Sequence, residues 1–222
     1  IDIKRIGKWL IFELNNYYLL SHLRMEGKYF IKDTSEEKAK HEHVIIHFED
    51  KTDLRYHDTR KFGRMKIVPK EALYETEEIK KQGLEPGSSK LTGEYLLSKF
   101  KSKKEPIKTA LLDQTIISGL GNIYANEVLF ASGINPERRA NSITLDEAKK
   151  IVTTSASIIK KAMELGGTTI RSYTSSLGVT GHYQDYLWVH KRENCPCKVC
   201  GTPIICIKVG GRSTYLCPKC QK

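Results

Sequence analysis

Apolar and polar positions alternate in short bursts over the first third of the chain. The segments KWLIFEL (8–14), YYLLSHL (17–23), GKYFIK (27–32), HVIIHF (43–48), DLRYHD (53–58) and RMKIV (64–68) are each rich in β-branched and aromatic residues. Turn-forming stretches such as NN, EG and EDKTD separate them. A period of two broken at this spacing predicts short antiparallel strands, arranged as a meander or sandwich. The stretch KKQGLEPGSSKLTG (80–93) follows neither a strand nor a helix period and reads as a linker.

From residue 94 the period lengthens. EYLLSKFK (94–101) and PIKTALLDQT (106–115) read as helices, the second with Pro106 where a helix can begin. GNIYANEVLFASG (121–133) has apolar residues at helical spacing and ends on a glycine. Thr144 lies three residues before Glu147, the spacing of a capping box, and the helix it opens runs to the paired Gly166 and Gly167. A loop rich in Ser, Thr and Gly follows, and then a tail that holds every cysteine. The expected fold is α+β with two lobes: an antiparallel β-sandwich, a helical lobe and a small C-terminal hairpin braced by metal. The expected boundaries are 1–82 for the sandwich, 83–93 for the linker, 94–190 for the helical lobe and 191–222 for the metal hairpin.

Composition narrows the classes. At 222 residues and 39% hydrophobic the chain can bury a core, which excludes a disordered segment. No apolar run approaches membrane-spanning length, and the opening IDIKRIGKWL has no secretory pattern, so a cytoplasmic protein is expected. The net charge of +11 calls for a polyanionic partner, most often nucleic acid. The excess is concentrated: from His190 to Lys222 there are seven Lys and Arg against the single acid Glu193, and KFKSKKEPIK is similarly one-sided.

Cys197 and Cys200, then sixteen residues, then Cys217 and Cys220 form a paired C-x2-C pattern suited to one tetrahedral zinc. The alternating segments PIICIKV and STYLCP between them predict a hairpin. Cys206 falls inside a strand pattern and reads as a small apolar residue; Cys195 precedes a proline and fits the ligand spacing less well than Cys197. Such a zinc is structural, stapling a tail too small for a core of its own. At the hairpin tip, GGRST places two glycines beside Arg212, whose planar fork suits phosphate. A second candidate is the turn before GNIYANEVLF. Gly119 and Gly121 allow a sharp bend, and Asn122 opens a helix whose free N–H groups favour an anion. An ordinary helix cap explains Asn122 equally well. His41 and His43 read as a surface strand pair, with metal binding as the alternative.

Taken together, QTIISGLGNIYANEVLFASGINP, the tail CxxCGTPI…GGRSTYLCPKCQK, SHLRMEGKY and DTRKFG resemble the formamidopyrimidine-DNA glycosylase family over nearly the whole chain. The first is similar to that family's helix–two-turn–helix and the second to its zinc finger. The resemblance implies a bifunctional base-excision repair enzyme. It removes oxidised purines, chiefly 8-oxoguanine and formamidopyrimidines, from double-stranded DNA and nicks the abasic site by β- and δ-elimination. It further implies one structural zinc, a monomer and no membrane partner.

Residue by residue, the resemblance implies that Lys8 contacts phosphate near the lesion. Met25 fills the space left by the extruded base, Arg60 bonds the orphaned cytosine, and Phe62 wedges beside the lesion pair. Lys108 lies near the damaged nucleotide. Asn122 and Arg212 clamp phosphates on either side, with Lys8 and Arg212 in supporting catalytic roles. The segment TTIRSYTSSLGVTGHYQ matches a loop that closes over the flipped base, with Arg171 and Tyr173 as candidates within it. The family's proline nucleophile and adjacent glutamate acid have no counterpart in a sequence that begins at Ile1. The chain as given is therefore expected to bind DNA without glycosylase activity. Two alternatives stay open: an endonuclease VIII type acting on oxidised pyrimidines, and a non-catalytic DNA-binding module.

Overall fold

A computed structural model describes residues 2–168 and 181–222. The chain divides into two compact units, one holding the residues through Lys80 and the other the described residues 81–168 and 182–222.

Among its described residues the first unit has seven strands in two antiparallel sheets. β1 (Ile3–Ile6), β2 (Trp9–Glu13), β3 (Tyr17–His22) and β7 (Arg64–Pro69) form one sheet in the order β1-β2-β3-β7. β4 (Lys28–Asp33), β6 (Thr52–His57) and β5 (Glu42–His47) form the other in the order β4-β6-β5. The alternation puts Trp9, Ile11, Leu20 and Val68 on one face of the first sheet, where they are buried with Leu73 and Ile79 from the short helical segments that follow β7, and Phe12 on the opposite face. Phe12 of one sheet meets Tyr29 of the other edge-on, and the Tyr29 hydroxyl donates to Ser21 Oγ, as expected of a sandwich. β1 was not singled out because IKRI is charged and nearly all exposed; it pairs with β2 by backbone alone.

A buried ion network braces the second sheet. Arg55 is 1% exposed, yet its guanidinium is fully partnered. It donates to the carboxylates of Asp53 and Glu42 and to the carbonyls of Asp33, Glu36 and Glu37. Every N–H of the fork thus finds an acceptor, the condition under which a buried guanidinium is tolerated.

The second unit is helical. α1 (Glu77–Lys80) closes the first unit; α2 (Gly93–Phe100), α3 (Ile107–Leu111), α4 (Asn122–Ala131) and α5 (Leu145–Glu164) build the second. Leu96, Phe100, Leu111, Ile117, Val128, Leu129 and Ile151 share one dry core. The capping box at Thr144 is present in full, with both reciprocal bonds to Glu147. α3 stops four residues short of the apolar pattern. Asp113 explains the early end: its Oδ1 accepts from the Thr115 N–H and hydroxyl, which competes with helical pairing. The stretch at 83–93 is not a free linker. Gly83 N donates to the Gln114 carbonyl, Leu84 bridges to Ile117, and Leu91 is buried in the helical core. Its glycines and its one proline hid two apolar anchors. Among the described residues no helix is long and apolar enough to cross a membrane.

β8 (Ile205–Val209) and β9 (Arg212–Leu216) form the terminal hairpin. Gly210 and Gly211 make its two-residue turn, both with positive φ, 56° and 74°. That is the turn type a tight, right-twisted hairpin needs.

Replacing Arg55 with alanine removes the one buried cation shared by the Asp53 and Glu42 carboxylates. We expect Arg55→Ala to cost about 3–5 kcal/mol, read as a lower denaturant midpoint; a change within error would show that the network contributes nothing.

Candidate functional site

One end of the first unit gathers the residues singled out at 8, 25, 60 and 62. Trp9, His22 and Arg64 stand in one row across β2, β3 and β7. Lys8 therefore lies in the turn before Trp9, the 23–27 turn leaves from His22, and the 58–63 loop enters at Arg64. Positive charge collects there from Lys8, Arg24, Arg60, Lys61 and Arg64, against Glu26 and a buried Asp58. Burial, then the charges of Arg24 and Lys8, push His22 down to about 4. It stays neutral, and its Nδ1 accepts from the Arg24 N–H at 3.0 Å.

Met25 is 71% and Phe62 51% exposed, unusual for large apolar side chains. They are drawn together by Arg60, whose Nη1 donates to Met25 Sδ at 3.3 Å and whose guanidinium lies 4.6 Å from the Phe62 ring centre. Beneath them Asp58 shapes the loop. Its Oδ1 accepts from Arg60 N at 3.0 Å and its Oδ2 from Gly63 N at 2.9 Å. Burial raises this carboxyl, but the N–H groups of Gly63 and Arg60 and the Tyr56 hydroxyl outweigh it and hold Asp58 below the ordinary carboxylate range.

In the second unit the 114–122 turn and the hairpin tip meet. Gln114 stitches the turn, donating to the carbonyls of Leu112 and Leu120 and accepting from Gly119 N. Asn122 starts α4, and its Nδ2 donates to the Ser213 carbonyl at 3.1 Å. The same carbonyl accepts from Lys108 Nζ at 2.9 Å, and Lys108 also donates to Thr214 Oγ1. Gly210 is pressed against α3, where a Cβ would stand 2.7 Å from Thr109 Oγ1. Arg212, at the tip, stays exposed.

Lys108, expected near the damaged nucleotide, is 0% exposed in the free protein, where its ammonium donates to the hairpin. The PIKTALL pattern has Lys108 directly after a buried isoleucine on a five-residue helix whose other residues are also mostly buried. Charge alone did not reveal that. Burial, then the Arg212 charge, bring its ammonium down to about 8.

Cys197, Cys200, Cys217 and Cys220 converge with their Sγ atoms within 4.8 Å of one another. A tetrahedron of bonds near about 2.3 Å has edges of about 3.8 Å, so the Cys200–Cys217 and Cys197–Cys220 separations of 3.5 and 3.9 Å fit one zinc. The four thiolates are a structural zinc site, closed to further ligands. Cys206 is half-buried and Cys195 exposed, outside the cluster. Ile204 and Val189 pack with the ligands against Phe130 of α4. The tail is tied down too: Gln221 Nε2 donates to the Ile134 carbonyl and Lys222 N to that of Gly133.

Sequence reasoning missed Tyr56, Asp58, Gln114 and Glu127. Glu127 is buried in α4, where its carboxylate accepts from the N–H groups of Trp188, Val189 and His190 and fixes the approach to the zinc site. An acid at helical spacing in an apolar stretch was the available clue. His43 Nε2 donates to the Asp58 carbonyl, so the histidine pair is a loop support; among the described residues only the four cysteines group as metal ligands. Arg171 and Tyr173 lie outside the described residues.

Three family profiles match the chain: the formamidopyrimidine-DNA glycosylase N-terminal domain over 1–65, the H2TH domain of the same glycosylase over 82–174, and a zinc finger found in FPG and IleRS over 196–222. The chain is 48% identical over 220 residues to the formamidopyrimidine-DNA glycosylase of Listeria monocytogenes, covering 99% of this chain and 81% of that protein. It is 47% identical to that of Ligilactobacillus salivarius, covering 99% and 80%. Among solved structures, Lactococcus lactis Fpg with abasic-site DNA superposes with a TM-score of 0.93 at 38% identity, covering 99% of this chain and 81% of that one. The wild-type Lactococcus lactis protein with DNA containing an oxidised pyrimidine gives 0.91 at 37%, covering 99% and 80%.

Two outcomes follow from the hairpin's anchors. Between pH 8 and 10.5 the unfolded chain keeps a proton on Lys108 that the folded chain has lost, so this group's contribution to stability rises with pH across that window. The unfolding free energy of wild type relative to Lys108→Met should grow by about 3 kcal/mol over the same range; a flat difference would refute the buried ammonium. Elemental analysis should find about one zinc per chain. A chelator should then disorder the hairpin while leaving the helical circular dichroism of the α2–α5 core.

Proposed function

Because the chain belongs to the formamidopyrimidine-DNA glycosylase family, we propose that it recognises oxidised purines in duplex DNA. The observation that carries this reading is the cluster of Met25, Arg60 and Phe62. Two exposed apolar side chains flank a guanidinium on a positively charged edge, held from below by a buried carboxylate. Such a cluster has little to gain in water. Against a duplex it gains a great deal: an apolar wedge replaces the stacking lost when a base is extruded, and a fixed guanidinium reads the acceptors of the base left behind. Met25 fills the vacated stack, Phe62 wedges the neighbouring step, and Arg60 pairs with the orphaned cytosine. Lys8 lies on the same edge and contacts phosphate.

The second unit supplies the phosphate clamps. Asn122 and Arg212 flank the junction of a helix N-terminus with the hairpin tip, where N–H groups and a permanent cation favour an anion. Lys108 acts indirectly in this reading, by holding the tip. Excision of the base and β,δ-elimination at the abasic site are the chemistry this recognition serves. A second reading, preference for oxidised pyrimidines, draws on the Lactococcus lactis relative bound to such DNA.

Equilibrium binding to duplexes with 8-oxoguanine opposite cytosine, an oxidised pyrimidine, or no lesion tests the proposal. Tightest binding to the 8-oxoguanine duplex supports it; equal binding to damaged and undamaged duplex at moderate salt refutes it. Arg212→Ala should weaken binding to all sequences alike and lower the salt slope by about one. Asn122→Ala should also weaken all sequences alike. Arg60→Ala should instead erode the preference for cytosine opposite the lesion, by about tenfold.

A further inference from the structure

Met25 and Arg60 are thirty-five positions apart, and the turns that carry them touch a common post. That post is Tyr56, on β6 and 5% exposed. Its hydroxyl passes between Gly27, which closes the 23–27 turn, and Gly63, which closes the 58–63 loop. A Cβ built on Gly27 would stand 2.5 Å from that oxygen, and one on Gly63 only 1.7 Å. Neither glycine has a positive φ, so the backbone there does not demand glycine. Close approach does: to Tyr56 at both positions, and at Gly27 also to the Leu23 carbonyl, 2.6 Å from such a Cβ.

The hydroxyl is also chemically engaged. It donates to Asp58 Oδ2 at 3.1 Å, the oxygen that accepts from Gly63 N, while Oδ1 accepts from Arg60 N. The backbone of Asp58 is held as well: its N–H donates to the His41 carbonyl and its carbonyl accepts from His43 Nε2. Every polar group of Asp58 is in use. The residue cannot move without breaking several bonds, and Arg60 is bonded directly to it.

We propose that Tyr56 and Asp58 are positioning residues for opposite-base selectivity, locking the Met25 turn and the Arg60–Phe62 loop to one buried reference. The proposal rests on Arg60 as the reader of the orphaned base. Phosphate contacts tolerate small displacements, but a guanidinium paired with a base edge does not. Loosening the reference therefore lowers discrimination more than total affinity. Asp58→Asn keeps the size but offers one acceptor oxygen where two are needed. Tyr56→Phe keeps the buried ring and removes only the link.

Two measurements decide it. In the free protein, methyl resonances of the three methionines, Met25, Met65 and Met163, can be followed with labelled methionine. Tyr56→Phe and Asp58→Asn should move the Met25 resonance toward its unfolded position and leave Met163 in place. An unmoved Met25 resonance in both variants overturns the coupling. In binding, the ratio of affinities for 8-oxoguanine opposite cytosine and opposite adenine should fall by about fivefold in both variants, with undamaged-duplex affinity and salt slope unchanged. A ratio equal to wild type, while Arg60→Ala abolishes it, overturns the selectivity role. If Arg60→Ala itself leaves the ratio intact, the reading of Arg60 fails instead, and the methionine resonances still decide the coupling.

Discussion

The Lys108 ammonium sits where no solvent reaches it and gives its protons to the Ser213 carbonyl and the Thr214 hydroxyl. Removing a full charge from water is costly, and it is tolerated here because the ammonium finds two fixed oxygens of the hairpin to donate to. The bond joins residues more than a hundred positions apart. It seats the glycine turn against Thr109 and brings Ser213 within reach of Asn122. Without it the hairpin would keep its anchors at the base, the four cysteines, the packing on Phe130 and the ties of Gln221 and Lys222, but would lose this hold on its tip. The exposed Arg212 is placed by a lysine that is itself hidden.

The first unit follows the same logic with the charges reversed. Asp58 is the buried ion there, and its partners are N–H groups and a phenol. Arg55 does comparable work in the second sheet. At Asp58 and Lys108 a buried, hydrogen-bonded charge fixes a loop or turn, and an exposed arginine stands close by, Arg60 in the one and Arg212 in the other. Buried networks of this kind specify geometry more than they add stability.

Much of this was legible in the sequence. Six of the seven sandwich strands followed from period-two alternation, and the capping box at Thr144 marked the longest helix to the residue. The zinc ligands followed from spacing because four thiolates on one ion leave little freedom in loop length. Met25, Arg60 and Phe62 were singled out by resemblance alone, since nothing in the local pattern separates an exposed methionine from a core one. What stayed hidden was set by tertiary contact. IKRI pairs through its backbone, so its charged side chains concealed β1. The glycines of 83–93 concealed Leu84 and Leu91. Lys108 and Glu127 look like surface charges until the fold wraps around them.

The terminal hairpin is fastened at both ends, by thiolates at its base and by Lys108 at its tip, with the last residues tied back beyond α4. A beam held this way has no hinge. The Asn122 amide and the backbone that carries Arg212 consequently share one braced frame, and a braced frame adapts little to what it meets. In the proposed reading a regular double helix arrives with its phosphates already ordered for such a frame. A loose single strand must first be ordered to fit it, and that loss of freedom sets the two apart before any base is read.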